Sequence, residues 1–126
     1  SGHYDSFSMD RGTDARLRAR WFHQSDRGWV IDDRARARVQ FSRHNLLQRP
    51  PSDDAFDLVL CRNVLIYFAA GSREPVNEHL HRALTADGLL LVGESETLRE
   101  GDGLFILHRI DGHVYYQARE SSTELP

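Results

Sequence analysis

The fold is decided by residues 56–68, which read FDLVLCRNVLIYF. A short aliphatic run opens this stretch, and the turn-forming residues 50–54 (PPSDD) precede it. That pattern is typical of a strand buried on both faces, and such strands belong to parallel sheets flanked by helices. We therefore predict an interior strand over residues 56–62. Arg62 and Asn63 then lie at its carboxyl end, where they form either a ligand-binding site or a solvated strand end.

Downstream of this strand, the sequence predicts a helix, a second interior strand and a hairpin. Apolar residues at positions 76, 80, 83 and 84 form the stripe of a helix that packs on a sheet. Asp-Gly between two extended runs is the strongest local signal for a β-hairpin. The predicted elements are a helix with Ser72 as its N-cap and Asp87-Gly88 as its stop, a strand at residues 89–93, and hairpin strands at residues 105–110 and 113–119 joined by Asp111-Gly112.

Upstream of residue 50, the sequence predicts shorter elements. They are a loose entry over residues 1–12, a helix from Asp14 to about His23, an extended piece at residues 29–31, a helix at residues 33–38 capped by Asp32, and a strand over residues 39–47. From residue 39 onwards the order is strand, strand, helix, strand and antiparallel hairpin. This order suits the methyltransferase variant of the nucleotide-binding fold.

Length and composition limit the class of protein. The chain has 126 residues, of which 40% are hydrophobic and 28% are charged, so it is one small globular domain or part of a larger one. No apolar run approaches the roughly 20 residues that a membrane helix needs, and we expect no membrane insertion. The single cysteine, Cys61, falls inside the predicted strand, so a reducing cytoplasm is the expected compartment.

The basic residues are unevenly distributed along a chain whose net charge is −3. All 16 are arginines, and ten of them lie between Arg11 and Arg49. This segment either faces nucleic acid or an acidic protein, or it forms the solvated sides of two helices. We favour the solvated helices and expect no nucleic-acid partner, because no zinc-finger spacing, RNA-binding signature or aromatic stacking set accompanies the arginines. The histidines lack metal-ligand spacing, so no metal site is predicted.

Three segments resemble the CheR-type chemotaxis receptor methyltransferases. They are FSRHNLL at residues 41–47, FDLVLCRNVLIYF at residues 56–68, and the segment from Leu84 to Glu96, which ends in GLLLVGESE. The string CRNVLIYF is long, unusual in composition and placed after a strand, so it is highly specific. Weaker similarity extends over nearly the whole chain.

The resemblance implies a Rossmann-like class I methyltransferase fold that uses S-adenosyl-L-methionine and releases S-adenosyl-L-homocysteine. The implied reaction is methylation of glutamate carboxylates in the cytoplasmic segment of bacterial chemoreceptors, which gives a methyl ester. A carboxylate is already a nucleophile at neutral pH. Such chemistry therefore needs in-line positioning in a desolvated pocket more than acid–base catalysis.

The resemblance also implies roles for five residues. Asn45 and Leu46 match the family's segment beside the adenine, and Arg62 and Asn63 match the segment near the methionine portion and the reacting methyl group. Tyr67 matches a tyrosine on the substrate side, where its hydroxyl orients the carboxylate. Tyr67 and Arg62 are thus the expected catalytic residues, and the other three join Arg62 in binding the cofactor. From the residues alone, we favour a strand-end cap for Asn45 and a rim aromatic packed on the following helix for Tyr67.

Glu94 and Glu96 follow the second predicted interior strand. They match a Ser-Glu pair in the same family. We expect them either to line the cleft or to cap the loop that leads towards Phe105, and we assign neither of them to the site.

The chain departs from a complete catalytic domain of this family in its N-terminal part. A Gly-rich strand-to-helix loop, an acidic residue at the end of a second strand and the N-terminal helical domain are not found in the sequence. We therefore interpret residues 1–126 as the C-terminal portion of the catalytic domain, with a partial sheet that lacks its first two strands. Those strands belong between the predicted strands at residues 39–47 and 56–62. We expect a longer protein or a homodimer to fill the gap.

Two functions follow from this interpretation. The chain is either part of a methyltransferase of the chemoreceptor type, or a non-catalytic remnant that acts as a dimerisation or protein-binding module. The presence of Asn45, Asn63 and Tyr67 favours descent from a working enzyme. The absence of the Gly-rich loop predicts that this chain alone binds the cofactor weakly or not at all.

Overall fold

The computed structural model describes residues 2–98 and 103–120, and the chain divides into two compact units. The elements of the N-terminal unit, Ser1–Arg43, are β1 (His3–Tyr4), α1 (Ser6–Gly12), α2 (Ala15–Trp21), β2 (Phe22–Ser25), β3 (Gly28–Ile31) and α3 (Asp33–Arg36). Its three strands form an antiparallel sheet in the order β1-β3-β2. The extended piece predicted at residues 29–31 is confirmed as β3.

Aspartates begin the three helices of this unit. The side chains of Asp5, Asp14 and Asp32 each accept a hydrogen bond from a backbone N–H of the first turn. The N-cap predicted at Asp32 is confirmed, and the helix predicted from Asp14 has that residue as its N-cap. Both α2 and α3 end two residues before their predicted ends. The loose entry predicted for residues 1–12 is wrong, because Asp5 caps α1 and Met9 on that helix is buried.

The C-terminal unit, His44–Pro126, is built on a four-stranded mixed sheet. Its elements are β4 (Phe56–Cys61), a 3-10 turn (Leu65–Tyr67), α4 (Ala70–Ala83), β5 (Leu84–Val92), β6 (Phe105–Ile110) and β7 (His113–Ala118). The strand order is β4-β5-β7-β6, with β4 parallel to β5 and β7 antiparallel to both of its neighbours. This confirms the predicted α/β class and is consistent with a partial Rossmann-like methyltransferase sheet.

The core of this unit lies between α4 and the sheet. Val76 and Leu80 on the helix are buried together with Leu84 and Leu90 on β5 and with Tyr116 on β7. Burying an aliphatic side chain of this size stabilises a fold by about 1.5–3 kcal/mol. The apolar stripe predicted for the helix is therefore confirmed as its core face.

Helix α4 begins and ends earlier than predicted. Its N-cap is Ala69 rather than Ser72, and it ends at Ala83 rather than at Asp87-Gly88. The helix ends early because Leu84 already pairs with Phe56 in the sheet. The next pair joins Leu58 to Leu89, so the Asp-Gly pair is taken up in a bulge of β5.

The strand predicted at residues 56–62 is confirmed as β4, but the expectation that it is an interior strand is wrong. Phe56, Leu58 and Leu60 are 50%, 52% and 65% exposed, whereas Cys61 is buried. In the described part of the chain β4 is an edge strand that pairs with β5 alone. One face of β4 therefore remains open.

The strand predicted over residues 39–47 is also wrong. This segment consists of turns and irregular backbone, and Phe41 is 89% exposed. A strand needs a hydrogen-bonded neighbour to satisfy its backbone groups. Among the strands that the structure describes, none pairs with this segment.

The predicted hairpin is confirmed. Strands β6 and β7 pair from Phe105 opposite Ala118 to Ile110 opposite His113. The two turn residues, Asp111-Gly112, have φ angles of +49° and +78°. Both are left-handed, as a two-residue turn between strands with right-handed twist requires.

Candidate functional site

The loop after β4 and the loop after β5 are joined by the side chain of Glu96. Its Oε1 accepts hydrogen bonds from the backbone N–H of Asn63 at 2.6 Å and of Gly93 at 2.8 Å. Its Oε2 accepts a third from the N–H of Ile66 at 3.1 Å. One carboxylate therefore fixes both loops at the carboxyl edge of the parallel strands.

Glu96 is buried, with 6% of its surface exposed. Burial by itself raises the pKa of a carboxyl group. Hydrogen bonds from four backbone N–H groups outweigh that effect, so the pKa of Glu96 lies below its ordinary value. These N–H groups belong to Gly93, Asn63, Ile66 and Leu65. The side chain is thus a charged acceptor at neutral pH.

Cys61 ends β4 and belongs to the core. Burial raises the pKa of its thiol, and the nearby charge of Glu96 raises it further. A neutral, buried thiol is a poor nucleophile. Cys61 is therefore a small core residue.

Asn63 gives the loop after β4 its shape. Its φ angle is +57°, a left-handed conformation that asparagine adopts more readily than most residues. Its side-chain Oδ1 lies against the backbone of Gly93, where a Cβ atom would meet both that oxygen and Oε1 of Glu96. The close approach of the two loops therefore requires glycine at position 93.

A cleft of about 910 Å³ opens at this edge of the sheet. Arg62 from the loop after β4, Glu94 and Glu96 from the loop after β5, and Arg109 and His113 from the hairpin are among its lining residues. Its volume falls in the range of about 300–1,000 Å³ that is typical of small-molecule sites. Neither arginine forms an ion pair with a described residue, so both guanidinium groups are available to an anion.

The predicted adenine segment lies beside α4. Oδ1 of Asn45 accepts a hydrogen bond from Leu47 N at 3.0 Å, and the side chain of Leu46 packs against the core. The carbonyl oxygen of Leu46 lies 3.0 Å from Nδ1 of His79. Because a carbonyl only accepts, Nδ1 of His79 carries the proton in this hydrogen bond.

The structure thus places the five predicted site residues in two segments, one that follows β4 and one that lies beside α4. Arg62 lines the cleft, Asn63 joins the two loops, and Tyr67 ends the 3-10 turn with 83% of its surface exposed. This exposure is incompatible with the alternative of a rim aromatic packed on α4. Asn45 and Leu46 are held instead from the side of α4.

Glu96 is the residue that sequence reasoning left out of the site. Both acidic residues that follow β5 line the cleft, but Glu94 is exposed, whereas Glu96 also fixes the backbone of two loops. The match to a Ser-Glu pair after an apolar strand was the available signal. Its burial depends on donors about 30 positions earlier in the chain, which no local pattern reveals.

A second cleft, of about 770 Å³, lies at the opposite edge of the same sheet. Charged residues of both signs line it, including Arg49, Asp53, Glu78, Arg82 and Glu120. Across residues 2–98 and 103–120, no group of acidic, histidine or cysteine side chains is placed to hold a metal ion. The same residues contain no helix with the length and apolarity to cross a membrane.

Comparison with known proteins identifies the family. Residues 1–113 match the family model described as CheR methyltransferase, SAM binding domain. The chain is 34% identical over 120 residues to the chemotaxis protein methyltransferase Cher2 of Pseudomonas putida, and 33% identical over 120 residues to the chemotaxis protein methyltransferase 1 of Pseudomonas aeruginosa. Each match covers 94% of this chain and 44% of the relative, so the chain spans less than half the length of these relatives.

A third relative has a different printed role. The probable biofilm formation methyltransferase WspC of Pseudomonas putida is 35% identical over 88 residues, which cover 68% of this chain and 21% of that relative. The two chemotaxis relatives and the biofilm relative are all named as methyltransferases. The match of the family model to most of the chain, together with the sheet order and the loop after β4, shows that this chain belongs to the CheR methyltransferase family, within its S-adenosylmethionine-binding domain.

Proposed function

We propose that this chain is part of an S-adenosylmethionine-dependent methyltransferase that acts on glutamate carboxylates of chemoreceptors, and that it carries only part of the active site. The observation that supports this most directly is the loop after β4, where Glu96 fixes Asn63 next to the cleft that Arg62 lines. The names of the chemotaxis relatives support a chemoreceptor as the protein substrate. Because the methylated segment of such receptors is cytoplasmic, we place the protein in the cytoplasm.

The proposed chemistry asks little of the protein beyond positioning. S-adenosylmethionine supplies an activated methyl group on a sulfonium sulfur. We assign Arg62 and Tyr67 to the substrate carboxylate, because a guanidinium and a phenolic hydroxyl both donate hydrogen bonds to carboxylate oxygens. The two donors hold one oxygen of the carboxylate towards the methyl group, and no base is needed because the carboxylate is already ionised.

The described residues fit one side of the cofactor. Asn45 is exposed and offers an amide to a base edge, while the half-buried Leu46 offers an apolar surface to its face. Arg62 and Asn63 offer polar groups at the carboxyl end of β4. We place Arg62 and Asn63 near the methionine portion of the cofactor. In the described part of the chain no glycine-rich loop joins a strand to a helix, so we assign the ribose to residues outside it.

The open edge of β4 supports a partner that completes the sheet. β4 pairs with β5 on one side, and Phe56, Leu58 and Leu60 are half or more exposed. An apolar edge strand of this kind attracts a further strand. We propose that strands of a longer form of this protein, or of a second copy, occupy this edge and bring the missing part of the cofactor site.

Calorimetric titration with S-adenosyl-L-homocysteine tests the proposal in two forms of the protein. The first is the 126-residue chain. The second is a chimera in which this chain replaces the matching 120 residues of the Pseudomonas putida relative. We expect weak or no binding by the chain and micromolar binding by the chimera. Micromolar binding by the chain alone would mean that a second copy completes the site.

Methyl transfer by the same chimera tests the reaction. We expect it to form base-labile methyl esters on a chemoreceptor fragment, and Tyr67→Phe to slow this step by about tenfold or more. A folded chimera that binds S-adenosyl-L-homocysteine but forms no ester on any receptor fragment would contradict the proposed substrate. A folded chimera that binds none would contradict the proposed function itself.

The open strand β4 also favours a second candidate function, a non-catalytic dimerisation or protein-binding module. In that case the chain forms a stable dimer through β4 and binds no cofactor in either form. Sedimentation velocity measures the dimer, and Leu58→Lys at the exposed face should dissociate it. A monomer that gains cofactor binding in the chimera would exclude this candidate.

A further inference from the structure

Glu96 differs from the other acidic residues that the structure describes in the C-terminal unit in what surrounds its carboxylate. Glu94, two residues earlier, is exposed, and Asp53 pairs with Arg49. Glu96 is buried and forms no ion pair with any residue that the structure describes. Its charge is compensated by backbone N–H groups alone.

These N–H groups belong to the segment that carries the predicted site. Asn63 N and Ile66 N stand on either side of the point where the chain leaves β4 and enters the 3-10 turn. They have no strand partner there, because β4 ends at Cys61. The hydrogen bonds that these two groups donate are partly buried, so losing the acceptor destabilises the loop by leaving both N–H groups incompletely satisfied. The carboxylate supplies the acceptor for both.

The carboxylate that accepts these hydrogen bonds belongs to the loop after β5. Two hydrogen bonds between Gly93 and Glu96 close that loop into a turn. Gly93 N donates to Oε1 of Glu96 at 2.8 Å, and Glu96 N donates to Gly93 O at 2.9 Å. This turn fixes the position of the carboxylate relative to the end of β5. Hydrogen bonds to an ionised acceptor are about twice as strong as neutral ones, so the link between the loops is a stiff one.

We propose that Glu96 is a positioning residue: its carboxylate sets the place of residues 62–66, and with them Arg62 and Asn63, relative to the end of β5, an inference that rests on the function proposed above. Glu96 acts through the backbone of the loop and does not itself touch a reacting group. A carboxylate is required because its two oxygens are both acceptors, whereas a glutamine has one acceptor and one donor.

Amide hydrogen exchange of the 126-residue chain tests the positioning directly, without ligand or activity. In Glu96→Gln the remaining oxygen can still accept from Asn63 and Gly93, but the NH2 group faces the N–H of Ile66. We expect exchange at Ile66 to accelerate by about tenfold or more, with unchanged protection in β6 and β7. The matched control, Glu94→Gln, removes the same charge from an exposed position and should change neither.

Gly93→Ala displaces the same loop while leaving the carboxylate intact. The added Cβ meets Oδ1 of Asn63 and Oε1 of Glu96, the latter at 2.8 Å. We expect faster exchange at Asn63 and Ile66. Gly71→Ala is the matched control, since a Cβ there meets nothing within 4 Å.

Affinity for S-adenosyl-L-homocysteine links the loop to the proposed function. In whichever form binds this ligand, the chain or the chimera, we expect Glu96→Gln to weaken binding by about tenfold or more, and Glu74→Gln, at an exposed position on α4 outside the cleft lining, to leave it unchanged. Unchanged exchange at Ile66 in Glu96→Gln would overturn the positioning role. Faster exchange with unchanged affinity would also overturn it for this site, while leaving the proposed function in place. If neither form binds the ligand, the proposed function fails, and the exchange data alone decide whether Glu96 fixes the loop.

Discussion

The two segments that carry the predicted site residues are held in unlike ways. Residues 62–66 are fixed by Glu96, a buried and charged acceptor shared by several N–H groups. Residues 45–48 are held by a turn that the side chain of Asn45 closes and by one hydrogen bond from His79. Hydrogen bonds to an ionised acceptor are about twice as strong as bonds between neutral groups, and three backbone N–H groups converge on the carboxylate of Glu96. The first segment is therefore preorganised for a ligand, whereas the second depends on contacts that a ligand itself would strengthen.

Removing the anchor of the first segment should have the largest effect. Glu96→Ala leaves three N–H groups without their acceptor, at about 1–3 kcal/mol for the buried group of Gly93 and less for each of the partly buried groups of Asn63 and Ile66. We expect the free energy of unfolding to fall by about 3 kcal/mol or more, measured by urea unfolding followed with circular dichroism. Glu94→Ala is the control, with an expected change of about 0.5 kcal/mol or less. Equal losses in the two variants would remove the distinction between the segments.

The charge of Glu96 makes the same anchor sensitive to acid. Its pKa is lower in the folded chain than the ordinary value of about 4.3 that applies when the chain is unfolded. Its contribution to stability is therefore complete above that ordinary value and is lost as the pH falls through the lower, folded pKa. Between neutral pH and about pH 3, the wild-type urea midpoint should fall further than that of Glu96→Gln, which cannot titrate at this position. Parallel falls would show that another group dominates the acid response.

The hydrogen bond from His79 that holds residues 45–48 should contribute less to the free energy of unfolding than Glu96 does. His79→Ala removes one hydrogen bond to the carbonyl of Leu46, and we expect a loss of about 0.5–1.5 kcal/mol in the free energy of unfolding. His44→Ala, at an exposed position next to the same segment, serves as the control. A loss of about 3 kcal/mol for His79→Ala would mean that the two segments are anchored equally well.

Just upstream of the second segment, the smallest effect is expected at Phe41. Its side chain is 89% exposed, so Phe41→Ser should change the free energy of unfolding by no more than about 0.5 kcal/mol. The urea midpoint, compared with that of the wild-type chain, measures this. A loss above about 2 kcal/mol would mean that this aromatic ring is buried in solution, as the strand prediction for residues 39–47 required.

Local patterns account for the parts of the fold that were predicted correctly. The hairpin follows from Asp111-Gly112, the face of α4 from its apolar stripe, and the position of β4 from a short aliphatic run. The irregular backbone of residues 39–47 was missed, and β4 was predicted as an interior strand although the predicted gap in the sheet lies beside it. The outcome at both places depends on which strands lie alongside. Sequence patterns describe a residue's own preference and leave the presence of a neighbour unspecified.

The residues of the candidate site were likewise predicted only in part. The family resemblance pointed to Arg62 and Asn63, and these residues do lie at the carboxyl end of β4. The role of Glu96 was missed because its partners are backbone N–H groups, which every residue except proline carries. Backbone donors leave no trace in the sequence, so only the folded chain reveals which carboxylate they surround.

The strand order has a consequence for how the protein is made. Because β7 lies between β5 and β6, β6 has no partner strand when it has just been synthesised. It joins the sheet only after residues 113–118 have left the ribosome. A hairpin forms in about 1–10 μs, whereas translation adds about 5–20 residues per second. The pace of translation therefore sets the moment at which the β6–β7 hairpin docks onto β5 as a finished unit.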